Sequence, residues 1–167
     1  MDFFRFSQDQ RVSGAIQPIR PVPANPEHNS ETDFPVQYYL KANRDNEYID
    51  FLEMPVALVS DRLKRLLTKY CPQLVCHPVV LADLSRMRQD LYWQINPVTV
   101  DCQAPQTEFY KDGAVRNLVI DAVKAGSVRV FRVAGIKESW IIVNLEVAES
   151  ILRRDFLGIR LKRVASA

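Results

Sequence analysis

Cys71, Cys76 and His77 form the densest grouping of reactive side chains in this chain. A thiolate beside an imidazole can act as nucleophile and base, and Cys/His clusters hold zinc. The spacing supports neither reading well. Cys71-x4-Cys76 is too wide for the usual zinc knuckle, and no fourth Cys or His lies nearby in sequence. His77 sits in an apolar, strand-like run and reads as a strand-surface histidine. His28, the only other histidine, falls in a proline-rich stretch unsuited to holding a catalytic base. The carboxylate pairs Glu47/Asp50 and Asp50/Glu53 have the residue types of a glycosidase site, but neighbouring acids are common on surfaces. All five glycines stand alone, which removes any phosphate-cradling loop, and neither G-x-S-x-G nor H-E-x-x-H occurs. We expect no catalytic residue, no metal and no cofactor, hence a protein that is not an enzyme.

Aromatic side chains among acids suggest binding instead. Tyr48 and Phe51 lie within DNEYIDFLE, and Tyr38, Tyr39, Tyr92 and Trp93 add further amphipathic rings of the kind enriched at interface hot spots. Residues 25–53 carry seven acids against Lys41 and Arg44, whereas residues 151–167 carry five bases against Asp155. An acidic aromatic surface can steer and anchor a basic protein partner. Glu47, Tyr48, Asp50 and Glu53 are the expected contact residues. The opposing expectation is that Tyr48, Phe51 and Leu52 are core residues of an amphipathic turn with solvated acids outside. The overall net charge of +2 gives no general support to nucleic-acid binding. Such binding would have to use Arg62, Lys64 and Arg65, or Arg153, Arg154, Arg160 and Arg163.

The elements that would position these residues follow from periodicity and breakers. Asp2–Phe6 reads as an opening strand. Five of the ten prolines fall between Pro18 and Pro35, predicting an extended connector over about 18–35, followed by a strand in Phe34–Lys41. Ser60 stands at an N-cap, and Leu63, Leu66, Leu67 and Tyr70 then form one apolar helix face ended by Pro72. Gln73–Leu81 reads as a strand with an edge or bulge at Pro78. Asp90–Ile95, Val98–Asp101 and Arg116–Ile120 are further strands, and Lys111-Asp112-Gly113 is a turn. Val128–Val133 and Trp140–Val143 are strands around a turn at Gly135, the second an interior one. Asn144 caps a helix with Leu145, Ala148, Ile151 and Leu152 on one side, and Gly158 turns the chain into a half-exposed last strand. The expected class is α+β: a mixed, largely antiparallel sheet with two main helices packed on it, as a single domain over residues 1–167.

The segments Phe51–Leu67, Val79–Cys102 and Val128–Val164 resemble, in the same order, the myxobacterial-type immunity domain of bacterial polymorphic toxin systems, formerly a domain of unknown function. The likeness rests on Val59-Ser60 before a helix, Tyr92–Asp101, Phe131-Arg132, Ile141–Val143, Ile151-Leu152 and Gly158-Ile159. It covers about the last two-thirds of the chain, at about residues 50–164, and its residues are mostly apolar. The resemblance implies an immunity protein that neutralises a cognate toxin by stoichiometric binding, the toxin being encoded by an adjacent gene. A regulatory or adaptor module without a toxin partner is the alternative, and a small enzyme comes third. An acid at position 2, no sustained apolar run after it, and no stretch of roughly 18–20 apolar residues make a cytoplasmic protein without membrane partners the expectation. The odd number of cysteines suits a reducing compartment.

Overall fold

The computed structural model describes residues 1–19 and 35–167. In chain order the elements are β1 (Phe3–Gln8), β2 (Pro18–Ile19), β3 (Val36–Leu40), β4 (Phe51–Leu52), β5 (Leu58–Ser60), α1 (Asp61–Tyr70), β6 (Val75–Asp83), β7 (Arg88–Asn96) and β8 (Val98–Val100). There follow β9 (Glu108–Phe109), β10 (Val115–Asn117), β11 (Val119–Ile120), α2 (Ala122–Ala125), β12 (Val130–Val133), β13 (Ile141–Asn144), α3 (Leu145–Leu152) and β14 (Ile159–Ser166). Most of the expected connector, residues 20–34, lies outside the described residues; its first two form the short strand β2.

The class is α+β, but one largely antiparallel sheet was too simple an expectation. Among the described residues the strands form two mixed six-stranded sheets, ordered β11-β14-β1-β13-β12-β8 and β2-β3-β6-β7-β5-β4, with a small β9–β10 ladder. Parallel pairing joins β11 to β14, β8 to β12 and β3 to β6. Pro97 is where the chain leaves one sheet for the other: β7 before it and β8 after it belong to different sheets. Proline cannot donate to a ladder, so the break falls where a continuous strand is least favoured. Pro78 obeys the same rule inside β6. It pairs with Trp93 on one side, while the pairing with β3 on the other begins only at Val79.

Two main helices was likewise an imprecise expectation: of the three helices among the described residues, α1 and α3 pack into the core joining the two sheets and α2 is a single short turn. On α1, the Ser60 hydroxyl accepts the Leu63 amide at 3.2 Å, and Leu63, Leu66 and Leu67 are buried. On α3, the Asn144 side chain accepts the Val147 amide at 3.1 Å. Its buried face is Val147, Ala148, Ser150 and Ile151, whereas Leu145 and Leu152 are exposed, so the expected stripe was rotated. These faces meet Phe6, Ile141 and Val143 of the first sheet and Phe51, Val59 and Ile95 of the second. Alternation along the strands sends Phe3, Phe131 and Ile142 to the far face of the first sheet, under residues 115–125. A third core on the far face of the second sheet gathers Ile16, Tyr38, Ile49, Leu58 and Leu81. Among the described residues, no helix is long and apolar enough to cross a membrane.

Candidate functional site

A hollow of about 600 Å³ opens where the two sheets adjoin. The first sheet supplies Arg5 from β1, Arg132 from β12, and Glu138 and Trp140 from the turn entering β13; the second supplies Gln94 and Asn96 from β7. The turn from β4 to β5 forms the remaining wall with Glu53, Met54 and Pro55, joined by a cis Met54–Pro55 peptide. Met54 is 74% exposed. On its other side Met54 and Pro55 also line a hollow of about 360 Å³ with Gln8, Ile16 and Leu52. A flexible thioether therefore stands on a ridge between two recesses, and thioethers adapt readily to irregular partner surfaces.

The walls are held by specific polar contacts. The Glu53 amide donates to Gln8 Oε1 at 3.0 Å, and the Ile95 amide to Ala57 O at 3.0 Å, fixing the β4–β5 turn to both sheets. Gly135, at φ +79°, lets the β12–β13 turn reverse. Glu138 Oε1 then accepts the Val115 amide at 2.9 Å, tying this turn to β10. Arg132 Nη1 donates to Asn96 Oδ1 at 3.2 Å across the cleft. The Arg5 guanidinium lies 4.1 Å from the centre of the Trp140 ring, a cation–π contact that orients both side chains. Among the described residues, Arg5 Nε, Arg132 Nε and Glu138 Oε2 are buried without a hydrogen-bond partner.

The four residues expected to touch a partner do not share one exposed patch. Glu47 is exposed, its backbone bridged to the segment at Gly14 and Ile16. Tyr48 is half-buried under the Arg88 guanidinium, 3.7 Å from the ring centre. Glu53 borders the main cleft. Asp50 is a correction to the expected surface: it is only 9% exposed. Its carboxylate accepts the Ser60 hydroxyl at 2.5 Å and the Leu157 amide at 2.7 Å, with Arg62 at 3.5 Å. Its chemistry is spent joining the start of α1 to the entry of β14. The opposing expectation holds for Phe51 and Leu52, both buried. Tyr38 and Tyr92 are buried too, Tyr92 donating to Ile49 O at 2.8 Å, and Trp93 Nε1 donates to Asp61 at 3.0 Å.

Cys71 and Cys76 both pack into the core joining the sheets, and alternation along β6 turns His77 to the other face. His77 lies opposite Gln94 in the β6–β7 ladder, and His28 lies outside the described residues. Burial pushes the Cys71 and Cys76 thiols up and Cys102 to about 11, so all three stay protonated at neutral pH. Among the described residues no cluster of three His, Cys, Asp or Glu is placed to hold a metal. The cleft residues Arg5, Arg132, Glu138 and Trp140 did not stand out as a group in the sequence. Their one local signal is a charge inside an otherwise apolar strand, in FFRF and in VFRV. No family model matches the chain, and no curated protein matches it.

Proposed function

We propose that this protein is a stoichiometric inhibitor, an immunity protein that grips a cognate bacterial toxin through the cleft between its two sheets. The observation that carries the reading is the composition of that cleft. Two arginines, an indole and a protruding methionine surround the amide side chains of Gln94 and Asn96. Arginine and tryptophan dominate interface hot spots because each combines a broad apolar face with directional donors. Glu53 and Glu138 give the same cleft acidic hydrogen-bond acceptors, so a partner segment carrying both charges is complemented. The resemblance of Phe51–Leu67, Val79–Cys102 and Val128–Val164 to immunity domains supplies the kind of partner. In this reading Glu47 and Glu53 are the acids that meet basic toxin side chains, while Asp50 holds the frame beneath them.

The test is co-expression of this chain with the product of the adjacent reading frame. The proposal expects the two to co-purify at 1:1 and expects growth to be rescued if that product is toxic. An Arg132→Glu variant that folds normally should lose both. Co-purification without toxicity would point to a regulatory or adaptor module, and absence of any complex would remove the reading.

A further inference from the structure

A second recess, which shares Arg5 and Trp140 with the inter-sheet cleft but is otherwise lined by different residues, has a different character. It lies on the far face of the first sheet at the edge of the core under residues 115–125, and its volume is about 80 Å³. Strand register builds it. Phe3 pairs with Val164, and two residues along, Arg5 pairs with Lys162 on one side and with Ile142 on the other. Directly opposed residues share a face, so Arg5 and Lys162 continue the face that carries Phe3, Val164 and Ile142. Arg116 closes the recess from β10, Trp140 borders it beside Arg5, and Arg163 completes the lining from the last strand.

Four bases line this recess and no acidic residue does. Arg163 is occupied, paired with Asp2 at 2.6 Å. Arg116 has only a loose contact with Glu108 at 3.9 Å, both side chains more than half exposed. Among the described residues, neither Arg5 nor Lys162 has an ion-pair partner, and the Arg5 Nε–H is buried without an acceptor. Like charges directly opposed on neighbouring strands repel, so this arrangement opposes folding unless something offsets it. A bound anion turns that repulsion into attraction, and arginine's fork of donors fits oxyanions in particular. The volume is far below the roughly 300–1,000 Å³ of sites for drug-sized molecules, which leaves room for one oxyanion group and not for a nucleoside.

We propose that Arg5, Arg116 and Lys162, bordered by Trp140, form a binding site for an oxyanion, with a doubly charged phosphate group the preferred occupant over a carboxylate. The site shares Arg5 and Trp140 with the inter-sheet cleft. Arg116 and Lys162 line this recess and not the cleft, so variants at those two positions report on the recess without bearing on the toxin reading.

The experiment is a titration of the full-length protein with inorganic phosphate at constant ionic strength, followed by the indole and arginine Nε–H resonances. Trp93, whose indole is committed to Asp61, serves as an internal control. The expected result is saturable movement of the Trp140 and Arg5 signals with a Kd on the order of 1 mM or tighter, while Trp93 stays still. Lys162→Gln and Arg116→Gln should each weaken binding several-fold without altering the rest of the spectrum. Acetate titrated under the same conditions separates the two sources: weaker binding identifies a phosphate group, and equal binding identifies a carboxylate. Unsaturable movement shared by both tryptophans, or phosphate affinity unchanged in both variants, would overturn the proposal.

Discussion

The acidic stretch at residues 45–53 and the basic last strand β14 look like mirror images in sequence, yet the fold uses their charges in opposite ways. In the first, Asp50 is drawn inside and bonded to Ser60 and Leu157, while Tyr48 is covered by Arg88. In the second, Arg160, Lys162 and Arg163 remain exposed, and register sets Lys162 beside Arg5 with no carboxylate between them. The acid holds three segments together; of these bases Arg163 pairs with Asp2, while Lys162 has no ion-pair partner among the described residues. Net charge along a sequence therefore does not tell which charges serve folding and which serve binding. Pairing register does.

Substitutions should separate the two regions by size and sign. Asp50→Ala should cost the most, roughly 3 kcal/mol, because it strands a buried amide and a hydroxyl that now donate to the carboxylate. Urea denaturation gives this value, and a change below about 1 kcal/mol would mean that Asp50 is not the joint described here. Gly158→Ala tests the same junction from the other side. A methyl there would lie 2.5 Å from Ile49 Cβ in a backbone at φ +73°, so a loss of roughly 2–3 kcal/mol is expected in the same assay. Ser60→Ala removes both the α1 cap and the hydroxyl donor to Asp50, for about 1–2 kcal/mol. In the basic strand the effect should vanish or reverse: Lys162→Gln should leave stability within about 0.5 kcal/mol or raise it slightly, since it relieves repulsion with Arg5.

A pH series sharpens the contrast at a second internal acid. Asp83 is 3% exposed and accepts hydrogen bonds from Ser85, then Asn46 and Arg86, which hold its carboxyl well below the usual range. Its stabilising contribution is fully present above the unfolded carboxylate value near about pH 4 and is lost as pH falls toward the depressed folded value. The urea midpoint of the wild type should therefore fall more steeply between pH 5 and about pH 2 than that of Asp83→Asn. Parallel curves would show that Asp83 does not titrate as an internal anchor.

The legible part of this fold was the local part. Ser60 and Asn144 cap helices through partners three residues away, and the turns at Gly113, Gly135 and Gly158 each have positive φ. All of these follow from a few consecutive residues. The division into two sheets was not legible, because β1 pairs with β13 and β14 from the opposite end of the chain. Asp50 was misplaced for the same reason: its partner Leu157 lies 107 residues away. One turn of helix at α2, capped by Asp121, was too short for its periodicity to show. The cleft draws Arg5, Asn96, Arg132 and Trp140 from four separate elements, so only tertiary structure could assemble it.

The central claim, that this protein acts by gripping a partner in its inter-sheet cleft, is tested most directly by calorimetric titration of the adjacent gene's product against wild type and Arg132→Ala. The account predicts a 1:1 complex for the wild type and at least about tenfold weaker binding for a folded Arg132→Ala, a loss of roughly 1.4 kcal/mol. A 1:1 complex whose affinity is the same in both proteins would place the contact elsewhere, and no heat of binding with either would contradict the account.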